Sequence, residues 1–396
     1  MTVCVYGPDS YKDYLQGQFD AIEHRANLKI QKVNNATIWP VGKPRAHGVY
    51  NAAHQYIDAS SIIIDDRANL RRPRRYAALY IDEDVLFLGD LHHHFGHVLL
   101  ERLTRAWALM DKKFHNMKCA VLYSKAADPL PEYYVEFLKA LGVRSENIIV
   151  VARPTRFRTV FVPDISKGPF FYSDAYARTF DAIATATPDG LVHDKIYMSR
   201  GALEHRRTFG EKMIQTVFER NGFHIIYPET MHIRDQIALV KNCRVLAGGA
   251  GTALHLALFM KPGGQVIQIK RNSKNEDNAR EQFLINKSKK LNSVFIWASD
   301  EKYPTPHFTN APQIIYAGHY MRCFWTEARF KYSPKSFDGY ADEYAQYLAA
   351  WGEYRRTHGV GRKIKRTLIK IMACVIPGRE RRGNFRARMN RALRCA

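Results

Sequence analysis

The segment DLHHHFGHVLLERLTRAWAL, residues 90–109, sets His97, Glu101 and Arg105 at i, i+4 and i+8 among mostly apolar residues. On a helix that spacing aligns the three side chains in one stripe. Leu99, Leu103, Ala106 and Met110 are then left to face a core. A carboxylate beside an imidazole on a partly buried stripe can act as a general base, each tuning the proton affinity of the other. The bland reading of the same residues is a Glu101–Arg105 helix pair with His97 filling a polar gap. The run His92-His93-His94 invites a metal reading. Consecutive residues diverge on any regular element, however, and no Asp, Glu or Cys ligand set accompanies them.

A second group of residues suits an anion. In RVLAGGAGTALHLALF, residues 244–259, an apolar run enters Gly248-Gly249-Ala250-Gly251 and passes directly into a helical stretch. Small residues let a ligand approach the backbone, and the free N–H groups of a helix start favour negative charge. Thr252 can cap that helix and still reach a phosphate. A tight strand-to-helix turn alone would also demand glycine. Upstream, SRGALEHRR (199–207) places Arg200, Arg206 and Arg207 after a strand, and YPETMHIRDQ (227–236) places Glu229 between a strand and a helix. A guanidinium fork matches phosphate oxygens, and an acid in such a loop commonly takes a ribose hydroxyl. Solvated arginines and helix capping by Glu229 explain the same residues. Together the three turns outline a nucleotide-diphosphate site.

The elements that would carry these groups alternate in the α/β manner. SSIIID (60–65), YAALYI (76–81), VLFLG (85–89), CAVLYS (119–124), NIIVV (147–151) and TVFVP (159–163) read as strands. Helices are expected over His94–Met110 and Pro131–Leu141. Then KIYMSR (195–200), FHIIYP (223–228), RVLAGG (244–249) and QVIQIK (265–270) alternate with helices near 210–221, 232–242 and 252–260. Short connections of this kind force right-handed crossovers and a parallel, Rossmann-like sheet. The expected organisation is an N-terminal α/β domain over 1–165, the acceptor side under the resemblance given below, and a Rossmann-like domain over 166–300, the nucleotide-sugar side under that resemblance, entered by a helix near 172–185. An irregular segment with a helix at about 338–356 occupies 301–352 and packs back across both. A basic tail fills 353–396.

That tail carries 14 Lys or Arg against two Glu, more than half of the +22 net charge of the 396-residue chain. Ile364, Leu368, Ile371, Met372 and Val375 recur at helical spacing with Lys363, Lys365, Arg366 and Lys370 between them. This is the pattern of an amphipathic helix lying in an anionic membrane interface, although a helix packed on the body fits it too. No run reaches the ~20 apolar residues of a spanning helix, and the N-terminus lacks a secretory signal pattern. The expected location is cytoplasmic, peripheral on the inner face of the cell membrane. Six scattered cysteines form no CxxC pair, which argues against a disulfide framework or a thiolate metal site.

HFGHVLLERLTRAW, YMSRGALEHRRTFGE and PETMHIRDQIALVKNCRVLAGGAGTALHLALF, in this order, resemble the family 61 glycosyltransferases (the DUF563 type, many from capsule or exopolysaccharide loci). The resemblance implies a GT-B architecture of two Rossmann-like domains and inverting transfer from a nucleotide-sugar, UDP-linked by expectation, without metal or cofactor. By motif position His97 matches the family's helix histidine, and Glu101 its acidic residue, usually Asp. Arg200, Arg207, Glu211, Glu229 and Gln236 match donor-side positions, and Gly249, Ala250 and Gly251 match the glycine turn. Thr252 and His255 complete the expected donor set. The chain departs from the pattern at Gly210, Gly248, Leu256 and Gln268. Under this resemblance Glu101 or His97 would deprotonate the acceptor, a glycan or a lipid-linked sugar, and the arginines and glycine turn would stabilise the leaving diphosphate. A catalytically silent glycan-binding or scaffold protein of the same fold is the alternative. Nucleic acid is not an expected partner, since no recognised binding module is present.

Overall fold

The computed structural model describes residues 1–41, 47–61, 78–91, 94–123, 128–202, 208–271, 279–298 and 311–358, with Phe385 and Met389. In chain order it gives β1 (Val3–Tyr6), α1 (Asp9–Asp20), β2 (Glu23–His24), β3 (Ile30–Trp39), β4 (Gly48–Tyr50), β5 (Leu79–Leu91), α2 (Phe95–His97), β6 (Lys118–Tyr123), α3 (Glu132–Ala140), β7 (Ile148–Val150) and β8 (Thr155–Pro163). A crossing segment holds β9 (Lys167–Gly168) and β10 (Phe171–Tyr172) and leads into α4 (Asp174–Ala186). Then come β11 (Lys195–Met198), β12 (Thr208–Phe209), α5 (Glu211–Arg220), β13 (His224–Ile226), α6 (Ile233–Val240), β14 (Val245–Gly249) and β15 (Gln265–Lys270). The last elements are α7 (Ala279–Ser288), β16 (Asn292–Trp297), β17 (Gln313–Ile314), α8 (His319–Glu327) and α9 (Tyr340–His358).

The protein is a mixed α/β protein of two compact units. The first comprises Met1–Ser199, Asn221–Lys270 and Asn275–Trp297. It contains two six-stranded sheets, ordered β4-β3-β8-β5-β6-β7 and β1-β16-β15-β14-β11-β13. The first sheet is mixed, with β3 antiparallel to β4 and β8 and the remaining pairs parallel. The second is parallel throughout. Counted from β11, its first five strands follow the order 2-1-3-4-5, which puts a topological switch point between β11 and β14.

Period-two alternation sorts the side chains of β5. Leu86 and Leu88 face one core, Val85 and Phe87 another. The first of these cores is shared between the sheets: it joins Leu86 and Val121 to Leu99, Phe137, Phe180 and Phe259, and through them to Ile196, Leu246 and Val266. On a separate core α1 and α7 meet, with Phe19 stacked on Phe283.

Several expectations change at this level. Leu79–Ile81 at the end of YAALYI and the whole of VLFLG are parts of one strand, β5, whereas Tyr76, Ala77 and nearly all of SSIIID lie outside the described residues. β1 and α1 are not part of the first sheet: β1 pairs in parallel with β16, covering an edge that would otherwise stay open. The helix expected over His94–Met110 is broken into α2, a π turn at Val98–Arg102 and a 3-10 turn at Ala106–Met110. Leu99, Leu103 and Ala106 are buried as the stripe requires, but Met110, past the break, is exposed.

The second unit comprises Arg200–Arg220, Arg271–Lys274 and Ala298–Ala396. In it β12 pairs in parallel with β17, and Trp325 stacks on Phe337 with ring centroids 5.5 Å apart. Gly210 has φ of 75°, and a Cβ there would sit 2.3 Å from the Ile315 carbonyl oxygen. Backbone conformation and lack of space therefore both require glycine at this departure from the resembled pattern.

Candidate functional site

His97 and Glu101 do meet. Nδ1 of His97 lies 3.1 Å from a Glu101 carboxylate oxygen, and the imidazole is 41% exposed against 16% for the carboxylate. The His94 ring stands edge-on to that of His97 at 4.9 Å. The third member of the predicted stripe does not join them. Arg105 is buried, donating Nε to the Pro163 carbonyl and Nη2 to the carbonyls of Ala59 and Ser61. Burial pulls its guanidinium down to about 10 despite Asp90 nearby. A π turn has more residues per turn than an α-helix, so i+8 no longer falls on the original stripe.

Arg102 takes the place that Arg105 was expected to hold. Its guanidinium bonds to Asp90, and Nη2 lies 3.4 Å from the second Glu101 oxygen. Asp90 reaches it because β5 is bulged between Phe87 and Gly89, with Gly89 at φ 95°. Bulges of this kind re-aim the next side chain. Burial raises the Asp90 carboxyl above its ordinary range against the opposing pull of Arg102 and Arg105. The ER pair within VLLER was visible in the sequence, but nothing local ties it to Asp90.

The glycine turn lies against this helix start. A Cβ on Gly96 would fall 2.7 Å from Thr252 Oγ1, so glycine is what allows α2 to sit on the turn. Gly249 ends β14, Gly251 has φ of 149°, and a 3-10 helix runs from Thr252 to Phe259. The turn opens at the carboxyl ends of β11 and β14, the crevice where such sheets bind ligands. Ala250 differs from expectation: its N–H donates to the Ile269 carbonyl at 2.7 Å and is engaged in the fold. A Cβ on Gly248 would lie 2.8 Å from the Met198 carbonyl oxygen, which explains a glycine there.

His255 is also placed differently. It is 3% exposed and lies 3.2 Å through Nδ1 from Gln282, which continues to Asn286 and Ser293. Burial pushes its imidazole down to about 4, so it is neutral at pH 7. It supports the turn from below. Lys167 and Glu281 pair beside it at 2.6 Å, and Arg280 adds a 3.1 Å contact. Burial would raise the Glu281 carboxyl, but those two cations hold it low.

Glu229 is exposed on the turn after β13. Gln236 holds that turn in shape, its amide donating to the carbonyls of Pro228 and Met231 at 2.8 and 2.9 Å. Arg200 lies in the second unit, where its backbone N–H donates to the buried Glu211 carboxylate at 3.0 Å. Arg207 falls outside the described residues, as do His92 and His93. Among the described residues Glu132, Glu136 and His232 come close enough to share a cation. Arg234 already stands 3.6 Å from the Glu136 oxygen that faces His232. The thiols of Cys119 and Cys243 are buried and pushed up to about 12, which makes them inert.

No curated protein matches the chain. Residues 95–267, which carry the His97–Glu101 pair, the β11–β14 switch point and the glycine turn, match the family model described as Glycosyltransferase 61.

Proposed function

We propose that the protein is an inverting, metal-independent glycosyltransferase of GT-B type that uses a nucleotide-sugar, most simply a UDP-sugar, as donor. The acceptor is a glycan or a lipid-linked sugar of bacterial capsule or exopolysaccharide synthesis. One observation carries the reading: the His97–Glu101 pair and the glycine turn, far apart in sequence, are brought together by the Gly96–Thr252 contact.

In this reading His97 is the proton acceptor, because it is the exposed member of the pair. Glu101 accepts from Nδ1–H, holding the ring in the tautomer whose Nε2 takes the acceptor hydroxyl's proton as the oxygen attacks the anomeric carbon. The bond to the nucleotide diphosphate breaks on the opposite face, which inverts the configuration. The N–H groups at Thr252 and Ala253 take up charge on the leaving diphosphate, and Arg200 and Arg207 keep the donor-binding role the resemblance implies. Glu229 takes a ribose hydroxyl.

Isothermal titration with UDP, CDP, GDP and CMP, without added metal, tests the donor half of the proposal. Binding of one nucleotide that is lost in Arg200→Ala supports it. No binding by any of them shifts the reading to a silent, glycan-binding relative.

The tail supplies the proposed membrane association. Residues 359–396, apart from Phe385 and Met389, lie outside the described residues, and no described helix is long and apolar enough to cross a membrane.

A further inference from the structure

We propose that Asp90 and Arg102 are positioning residues of this site: through Glu101 they set the orientation and the proton affinity of His97. The inference rests on the transferase reading above, but it concerns residues outside the expected site set.

Two local irregularities create the arrangement. The bulge at Phe87–Gly89 turns Asp90, and the π turn at Val98–Arg102 turns Arg102, so that one guanidinium stands between two carboxylates. Both devices are over-represented at functional sites. Side-chain exposure of Arg102 is 4% and of Asp90 13%, so neither charge is screened by bulk water. The Arg102 guanidinium is shared between the two carboxylates, and Glu101 faces His97 at 3.1 Å.

The buried Oε2 of Glu101 and Nε of Arg102 have no hydrogen-bond partner among the described residues. The Arg102–Glu101 link is thus held by charge and packing, and a change in charge at Asp90 passes directly to the Glu101–His97 pair. Among the described residues, His94 stands beside His97 on its own segment, and on the side of the glycine turn neutral His255 lies near His94 with the mutually compensating Lys167 and Glu281. Arg105 acts on Asp90 from behind.

The test is the titration of His97 in the full chain, followed by NMR with labelled imidazoles and assigned with His97→Asn. Asp90→Asn removes one negative charge and leaves Arg102 facing Glu101 alone. It should weaken proton binding at His97 by roughly tenfold, the lower end of a close charge effect. Where turnover is measurable, the acidic limb of the kcat profile should move to lower pH by the same amount, with KM unchanged and partial rescue in Asp90→Glu.

Arg102→Met alone buries two facing carboxylates without a counter-ion and can fail to fold. Asp90→Asn combined with Arg102→Met removes one charge of each sign. That double variant should fold, return the His97 titration close to wild type and still lose kcat, because Glu101 is no longer held. An unchanged His97 titration in folded Asp90→Asn overturns the proposal whatever the activity. If the wild-type chain transfers no sugar, the transferase reading falls, and the titration still decides the coupling.

Discussion

Gly96 and Thr252 stand so close that a Cβ on the glycine would lie 2.7 Å from the threonine hydroxyl and 3.4 Å from its Cβ. This contact ties the start of the His97 helix to the glycine turn. Gly96→Ala should therefore overpack it and cost about 1–3 kcal/mol of stability. Adding Thr252→Ala removes the two nearest atoms and leaves ordinary van der Waals spacing, so the double variant should recover most of that loss. Urea unfolding of the four proteins of the cycle checks this, and additive losses would refute the contact.

Glu101→Gln keeps the shape of the side chain but removes the charge that orients His97. A loss of about 10²–10⁴-fold in kcat is expected, with nucleotide binding retained. Binding and turnover measured on the same preparation separate the two effects. Full activity in Glu101→Gln would remove the pair from the chemistry.

Arg102 and Arg105, three residues apart, should fail in different ways. Arg105 donates to carbonyls at Ala59, Ser61 and Pro163. Arg105→Met orphans these buried acceptors and should cost about 3 kcal/mol or more. The Asp90→Asn/Arg102→Met protein should keep its stability within about 1–2 kcal/mol and lose turnover. Thermal melts read beside kcat distinguish them.

Stability should fall in mild acid because of His255. Its imidazole titrates at an ordinary 6.5 in the unfolded chain and at about 4 when folded. Between those values the unfolded chain binds more protons, so the contribution is complete above about pH 6.5 and is lost as the pH falls toward 4. The full window amounts to roughly 3 kcal/mol. Denaturation at pH 7 and pH 5 should show a shallower pH dependence in His255→Gln than in wild type. Equal slopes would show that His255 is not held neutral.

Removing residues 359–396 takes away most of the basic tail. Each Lys or Arg close to an anionic leaflet contributes about 1 kcal/mol. The shortened protein should no longer sediment with phosphatidylserine-containing vesicles, and undiminished co-sedimentation would take the membrane role from the tail.

How far the site could be read from the sequence depended on how local its causes are. Val245–Gly249 reads as a strand, and the glycines after it as a turn, because β-branched content, φ preference and helix start signals act within a few residues. The same holds for His97 and Glu101, separated by one helical turn, and for α3, α4, α6 and β15. Period and propensity thus determined the α/β class and the glycine turn; the order of the three motifs carried the resemblance to the family whose model matches residues 95–267.

What needed the folded chain were relationships between distant segments or faces. The pairing of β1 with β16 spans some 290 residues and leaves no local trace. One extra residue in the π turn exchanged Arg105 for Arg102, since the face a side chain takes depends on the pitch of its turn. A bulge in β5 recruited Asp90, and closure of the core around the 3-10 helix turned His255 from a prospective ligand into a buried support. Periodicity reports which residues share a face; which faces then meet is settled by packing across the whole unit, and that packing assembled the site.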